Sequence, residues 1–253
     1  MRIGLIGFGF IGADLYRRIA AEGSAIELAF VHNRTAARLA EVPHGLILDE
    51  LAEARRLAPD LIVEAADPGV TRHYGADFLA FADYMPLSLT ALADDGLRGR
   101  LDAAAAGSGR SLLVAHGALV GMDSLVEWRE AWEEVAITFR KPPASFGLRG
   151  APGETLLFDG SVRDIAARYP HNVNAMVACA LATVGLDRCR ARLIADPALD
   201  HLMLEVEARG RDGARLSIRR SQPATGVSGS EMAASAWRSI CRAAPLPGGA
   251  VFV

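Results

Sequence analysis

The chain begins with a short, nearly continuous apolar run, Arg2 to Ile6, the pattern of a strand buried on both faces. The periodicity of Ala13 to Ala21 predicts a helix, and Ile26 to Val31 a second buried strand. Ala36 to Leu39 reads as a short helix that Thr35 can cap, and Gly45 to Leu48 as a short strand. Asp49 to Leu57 is helical in pattern, and Ala58-Pro59-Asp60 turns the chain. Leu61 to Ala65 is the next strand, followed by a helix over Val70 to Phe81. Asp83 to Leu87 leads into Ser88 to Asp94, Leu97 to Ala106 is an alanine-rich helix, and Ser111 to Ala115 is the last strand of this half. Strands alternating with helices through Ala118 predict a doubly wound parallel sheet.

The pattern then changes. A helix is predicted from Val120 through Trp132, a strand over Val135 to Arg140, and a halt at Lys141-Pro142-Pro143. Phe158 to Gly160 reads as a loop, Ser161 to Arg168 as a helix capped by Ser161, and Ala175 to Val184 as a long apolar helix. Strands are expected at Arg190 to Ile194, Leu202 to Ala208 and Leu216 to Ser221. Ser228 with Glu231 three residues on forms a capping box for a helix reaching Ala243. Consecutive strands without helices between them predict a mostly antiparallel sheet. The fold class is therefore α/β: a doubly wound parallel sheet plus a smaller α+β domain. The expected divisions are residues 1–118, 119–227 and a C-terminal segment 228–253 that packs back on the first domain.

The first strand runs into Gly7-Phe8-Gly9-Phe10-Ile11-Gly12, the spacing G-x-G-x-x-G between a strand and a helix. Gly7 permits a tight turn, Gly9 lets a pyrophosphate approach the backbone, and Gly12 lets helix and strand pack closely. The helix N-terminus supplies free N–H groups and the positive dipole end. The pattern predicts a Rossmann-type dinucleotide site, the alternative being a glycine-rich turn in an α/β domain with no ligand. At the end of the second strand such sites carry Asp or Glu for the ribose 2′-hydroxyl. Here the residues are Asn33, Arg34 and Thr35, with no acid. Arg34 is a bidentate phosphate binder, which favours NADP over NAD, although a solvated arginine or one stacked on adenine is its alternative role. Ala65 and Ala66, small residues ending the third predicted long strand, leave room for the cofactor.

Composition narrows the class without changing it. The 253 residues are 51% hydrophobic and 23% charged, with net charge −3, so nothing favours nucleic acid or an anionic membrane as partner. The cysteines Cys179, Cys189 and Cys241 show no metal spacing, and their sparse, odd number suits a reduced cytoplasmic protein. The start of the chain goes directly into a core strand and reads as no signal peptide. No metal site is expected.

Several further stretches, in order, carry a resemblance: Ser88 to Asp94 (S-L-T-A-L-A-D), Gly117 to Asp123 (G-A-L-V-G-M-D), Lys141 to Pro143 (K-P-P), Phe158 to Val162 (F-D-G-S-V), Pro170 to Asn174 (P-H-N-V-N), Ala195 to Pro197 (A-D-P) and Gln222 to Ser228. With the glycine turn, these resemble the L-aspartate dehydrogenase family over nearly the whole chain. The resemblance implies a Rossmann domain, a substrate domain, a homodimer, and NAD(P)-dependent oxidation of L-aspartate to iminoaspartate, which hydrolyses to oxaloacetate and ammonia. It assigns Ala118 to the cofactor through its backbone and Asn174 to the nicotinamide end, and adds Phe10, Ile11 and Ser88 to the cofactor set. Helix capping is the competing role for Asn172 and Asn174.

The resemblance also implies a catalytic histidine in an N-x-H motif beyond A-D-P, and that motif is absent. Matching the following strand puts Leu202 at the histidine position, with His201 one residue away. A one-residue shift in a strand reverses the face of a side chain, whereas a loop position would leave His201 free to reach the site. His116, ending the last predicted strand of the first half, is the second catalytic candidate. Either imidazole suits proton transfer near neutral pH. Lys141, Arg168 and His171 are the cationic candidates for a dicarboxylate substrate, with Asn172 beside them. Two other readings stand beside the aspartate dehydrogenase: a catalytically impaired dinucleotide-binding sensor or partner subunit, and a dehydrogenase of another amino or imino acid.

Overall fold

The computed structural model describes residues 1–21, 26–117, 119, 121–148, 153–223 and 231–244, and they form two compact units. The first comprises residues 1–87, 99–115 and the C-terminal helix from Ala233, and the second residues 88–98 and 116–232. In the first, β1 (Arg2–Ile6), β2 (Glu27–His32), β3 (Leu61–Glu64) and β4 (Asp83–Pro86) form a parallel sheet in the order β2-β1-β3-β4. Ile47 bridges to Val31 beyond β2 and Leu112 to Tyr84 beyond β4, both parallel. The chain thus steps outward from β1 on one side, then returns to fill the other side. The reversal lies between β1 and β3, where open parallel sheets bind ligands at their carboxyl ends.

Two expected strands are corrected at the edges of this sheet. Residues 45–48 and 111–115 each contribute a bridge rather than a strand. Pro43 fixes its φ and starts a 3-10 turn over His44–Leu46, so only Ile47 is left to pair. The segments at 36–39 and 51–57, expected as helices, are 3-10 turns as well. Around the sheet lie α1 (Phe10–Ala20), α2 (Pro68–Leu79) and α3 (Asp95–Ser108), through which the division between the units runs. Asp67 caps α2 by accepting from the Gly69 N–H at 2.7 Å, and Pro68 takes the first helical position, where no N–H is needed. Ile3, Leu5, Leu15, Ile19, Leu61 and Val63 form the core, joined by Ala236 and Ile240 of the C-terminal helix Glu231–Ala243.

The second unit is built on β5 (Trp132–Lys141), β6 (Thr155–Ser161), β7 (Arg190–Ala195), β8 (His201–Gly210) and β9 (Arg215–Pro223), in the order β6-β7-β5-β8-β9. Only β5 and β7 run parallel, so the sheet is mostly antiparallel, as the strand pattern predicts. The expected loop at 158–160 is corrected: it is part of edge strand β6, with Phe158 opposite Leu193 and Gly160 opposite Ala191. A Cβ at Gly160 would meet the Phe158 ring at 2.9 Å, so the glycine lets that ring lie against the strand. The helix α4 (Met122–Glu127) is shorter than expected because Trp132 already belongs to β5, its Nε1 donating to the Leu125 carbonyl at 2.9 Å. Ser161 caps α5 (Val162–Arg168) by accepting from the Asp164 N–H. The helix α6 spans Asn174–Ala182. The expected capping box at Ser228 lies outside the described residues.

Alternation along the strands sorts this sheet into two faces. Ile137, Phe139, Leu193, Leu204 and Val206 share one face and are buried. Ile218 of the same face lies so close to Gly121, at the start of α4, that a Cβ there would meet it at 2.7 Å. The opposite face carries Arg140, Glu205 and Arg219, with Glu205 paired to Arg140 at 3.5 Å and to Arg219 at 3.3 Å. Among the described residues, no helix is long and apolar enough to cross a membrane, and no cluster has the ligands for a metal ion.

Candidate cofactor and substrate sites

The glycine turn is held by backbone contacts that exclude side chains. Gly7 has φ +97°, and a Cβ on it would meet the Ala65 carbonyl oxygen at 2.5 Å. A Cβ on Gly12 would collide with the Gly7 carbonyl oxygen. The Gly7 N–H donates to the His32 carbonyl at 2.8 Å, tying the turn to the end of β2. A Cβ on Gly9 would meet nothing within 4 Å, so the space above Gly9 is open. Gly9 precedes α1 without any side chain capping the helix, so its first N–H groups remain available to an anion. These features fit the pyrophosphate of a dinucleotide.

A cavity of about 390 Å³ opens from this turn, lined by Gly7, Gly9, Asn33, Arg34, Ala65 and Ala66 among others. Asn33 is committed to the turn: its Oδ1 accepts from the Phe8 N–H at 3.0 Å and its Nδ2 donates to the Thr35 carbonyl at 2.9 Å. Arg34 and Thr35 are exposed at the cavity wall. Arg38, unremarked in the sequence, adds a second cation, and Asp49 and Glu50 bring two acids to the same wall. Phe10 is 64% exposed at the start of α1, with Ile11 half-buried beside it. Glu64 was also missed, since it closes an otherwise apolar strand. It is fully buried and its carboxylate accepts from the Ala66 N–H at 2.6 Å, fixing the segment that faces Gly7.

In the second unit, Ser88 begins a 3-10 turn over Leu89–Ala93. Asn174 does not cap its helix; its Oδ1 accepts from the Thr90 N–H at 3.2 Å, while the Thr90 hydroxyl donates to the Pro170 carbonyl at 2.6 Å. Val173, the residue before the helix, provides no side-chain cap. The capping roles are therefore replaced by a tie that holds the 88–94 segment against the start of α6. His171 and Arg168 are exposed, the latter with its guanidinium 5.6 Å from the centre of the Tyr169 ring. Ala118 lies outside the described residues.

Both candidate histidines hold carboxylates. His116 Nε2 is 3.1 Å from Asp123 Oδ1 at the start of α4, and Gly117 follows at φ +54°. His201 Nδ1 is 2.8 Å from Asp200 Oδ1, and this contact holds the Asp200 carboxyl below its usual range. His201 is the first residue of β8, not part of the preceding loop. It therefore shares the face of Met203 and Glu205, while Leu202 shares the opposite face with Leu204 and Phe139. Lys141, at the end of β5, lies on the Leu202 side and is only 8% exposed. Burial, and then the Arg220 guanidinium, push its pKa down to about 8.

The glycine geometry separates stability from binding. Gly9→Ala is expected to leave the thermal midpoint unchanged and to weaken dinucleotide binding ~10-fold or more, because the methyl group fills the approach to the backbone. Gly12→Ala is expected to cost ~1–3 kcal/mol of stability through overpacking against Gly7. Melting curves and titration of reduced-nicotinamide fluorescence check both.

Comparison with known proteins agrees with this anatomy. Residues 7–115 match the model of the homoserine dehydrogenase NAD-binding domain, and residues 126–244 that of the aspartate dehydrogenase C-terminal domain. An aspartate dehydrogenase domain-containing protein of Xenopus tropicalis is 37% identical, the match covering 95% of this chain and 93% of that protein. An L-aspartate dehydrogenase of Bordetella pertussis is 33% identical, covering 93% and 95%. The crystal structure of aspartate dehydrogenase from Thermotoga maritima superposes with a TM-score of 0.78 at 25% identity, covering 98% of this chain and 99% of that one. With such relatives along nearly its full length, and an NAD-binding and a C-terminal domain matched in order, the chain belongs to the aspartate dehydrogenase family of amino-acid dehydrogenases.

Proposed function

We infer that the protein is an NADP-preferring dehydrogenase that interconverts L-aspartate with its imino acid, and through hydrolysis with oxaloacetate and ammonia. One observation carries the reading: an open, uncapped glycine turn on the 390 Å³ cavity, in a chain whose other half is that of an aspartate dehydrogenase. A bound nicotinamide supplies the hydride acceptor or donor. The rest falls to this chain. The N–H groups of α1 hold the pyrophosphate, and Asn33 braces the turn around it. Arg34 and Arg38 offer charge to a 2′-phosphate where no acid ends β2. His116 moves the proton on and off the substrate nitrogen, its ring oriented by Asp123. His201, on the face of the ion-paired Glu205, is the less suitable of the two.

The absence of a histidine at Leu202 favours one competing reading, a dinucleotide-binding relative that has lost turnover. Oxidation of NADPH with oxaloacetate and ammonium, against a panel of other 2-oxo acids, decides between them. Turnover with oxaloacetate is expected, and His116→Asn should lower kcat ~10²–10⁴-fold while leaving cofactor affinity unchanged. Tight cofactor binding without turnover of any acid would establish the impaired relative. Turnover of a different acid alone would change the substrate.

Arg34→Ala should weaken NADPH by ~1.5–3 kcal/mol and NADH far less, as read by fluorescence titration. Equal weakening of both would mean that Arg34 stacks on adenine.

We also expect a cytoplasmic homodimer. The three free cysteines support a reducing compartment. The contact is expected through the sheet of the second domain, on the apolar strands Val135 to Phe139 and Leu202 to Val206; their apolar side chains are already buried, which leaves the ion-paired face around Arg140 and Glu205 for the contact. Sedimentation at micromolar concentration tests this, and a monomer there would exclude it.

A further inference from the structure

The cofactor cavity carries four charges that do not pair. Arg34 and Arg38 follow β2, while Asp49 and Glu50 follow the segment that bridges to β2 on its outer side. Among the described residues, none of these four side chains has an ion-pair or hydrogen-bond partner. Asp67, another acid of the lining, is spent in capping α2. Backbone contacts hold the two unpaired carboxylates in place. Ile47 bridges to Val31, the Leu48 N–H donates to the Val31 carbonyl at 3.0 Å, and the His32 Nδ1–H donates to the Leu48 carbonyl at 2.8 Å. Leu48 is thus pinned to the end of β2 through both of its backbone groups, and Asp49 and Glu50 leave it at the carboxyl end of the sheet.

The order of positions along that sheet edge matches the order of groups along a dinucleotide. The glycine turn at the end of β1 suits the pyrophosphate, and the end of β2 suits the ribose. The next position outward is that of Asp49 and Glu50, two strand spacings or ~10 Å from β1. There the group that follows the ribose, the purine base, comes to lie. Leu51, Val70 and Tyr74 line the same cavity with apolar surface for a flat ring. Val70 and Tyr74 stand one turn apart on α2, and the Tyr74 ring is stacked on that of Phe78, with centres 5.8 Å apart and planes at 18°, which fixes its orientation. A carboxylate only accepts hydrogen bonds. Adenine presents N–H bonds at its exocyclic amino group, whereas a 6-oxopurine presents lone pairs at the same place.

We propose that Asp49 and Glu50 are the base-reading end of the cofactor cavity, accepting from the exocyclic amino group of adenine and rejecting dinucleotides that carry an oxygen there. The proposal deepens the dinucleotide reading and rests on it, and is independent of the 2′-phosphate and of the substrate. It also accounts for two acids beside Arg34 and Arg38 in a cavity built for an anion, where they oppose phosphate binding and are useful only to a donor.

Fluorescence titration of the full chain with NADH and with reduced nicotinamide hypoxanthine dinucleotide, which carries oxygen in place of the amino group, tests it. NADH should bind ~10-fold or more tightly than the hypoxanthine form. The double variant Asp49→Asn with Glu50→Gln should bring the two within ~3-fold of each other, because an amide can turn its N–H to the oxygen. The two dinucleotides carry the same charge, so a general electrostatic effect of the variant cancels in this ratio. Arg34→Ala should leave the ratio as in the wild type. Equal affinity for the two dinucleotides in the wild type, or an undiminished preference in the double variant, would overturn the base-reading role and leave the dinucleotide reading in place. If the double variant does not fold, Asp49→Asn and Glu50→Gln singly carry the comparison, and a preference undiminished in both overturns it. Failure of the wild type to bind NADH, NADPH or the hypoxanthine form would instead remove the dinucleotide reading, and this proposal with it.

Discussion

The first unit depends on one close approach of backbone to backbone. β1 ends in Gly7, whose position lies against the carbonyl of Ala65 at the end of β3, and Gly12 brings α1 down onto the carbonyl of Gly7. Side chains at either position would drive these elements apart. Because they do not, the N-terminus of α1 comes to the carboxyl ends of β1 and β3, at the reversal of strand order. The helix then presents uncapped N–H groups over an open space at Gly9. Asn33 and Glu64 are the polar braces of that arrangement, each accepting a backbone N–H from a segment beside the turn.

The second unit is governed by a different constraint, the two-residue alternation of its strands. It divides β8 into residues that see the helices and residues that see the ion-paired face. Leu202, where the resemblance puts a catalytic histidine, and His201 stand one residue apart, and so on opposite sides of the sheet. A side chain cannot cross a sheet. The other histidine candidate, His116, comes from another part of the chain, where it meets Asp123. Arg163 shows how the same unit positions its connecting segments: it holds Asp187 at 2.6 and 2.8 Å, Asp95 at 3.1 Å and the Ala93 carbonyl at 2.6 Å. One guanidinium thereby joins the 88–98 segment to α5 and to the approach to β7.

Local signals carried far in this chain. The apolar run at Arg2 to Ile6, the glycine spacing and the alternation of strands with helices predict the parallel sheet, because burial on both faces and tight turns leave marks on adjacent residues. The Ser161 cap and the mostly antiparallel second sheet are legible for the same reason. The edge segments at 45–48 and 111–115, and strand β6 at Phe158 to Gly160, were misjudged, since their state depends on whether a neighbouring strand is there to pair with. Asn174 carried a capping signature but bonds Thr90, 84 residues earlier in the chain. Arg38 and Glu64 give no signal as site residues, because a single polar residue in an apolar or charged stretch has no local pattern to distinguish it. The nearness of Lys141 to Arg220 arises from strand pairing across β5, β8 and β9, and side chains that meet through such pairing are independent in the linear order of residues. Periodicity is a short-range property written residue by residue; the company a charged side chain keeps in the interior is set only when distant strands come into register.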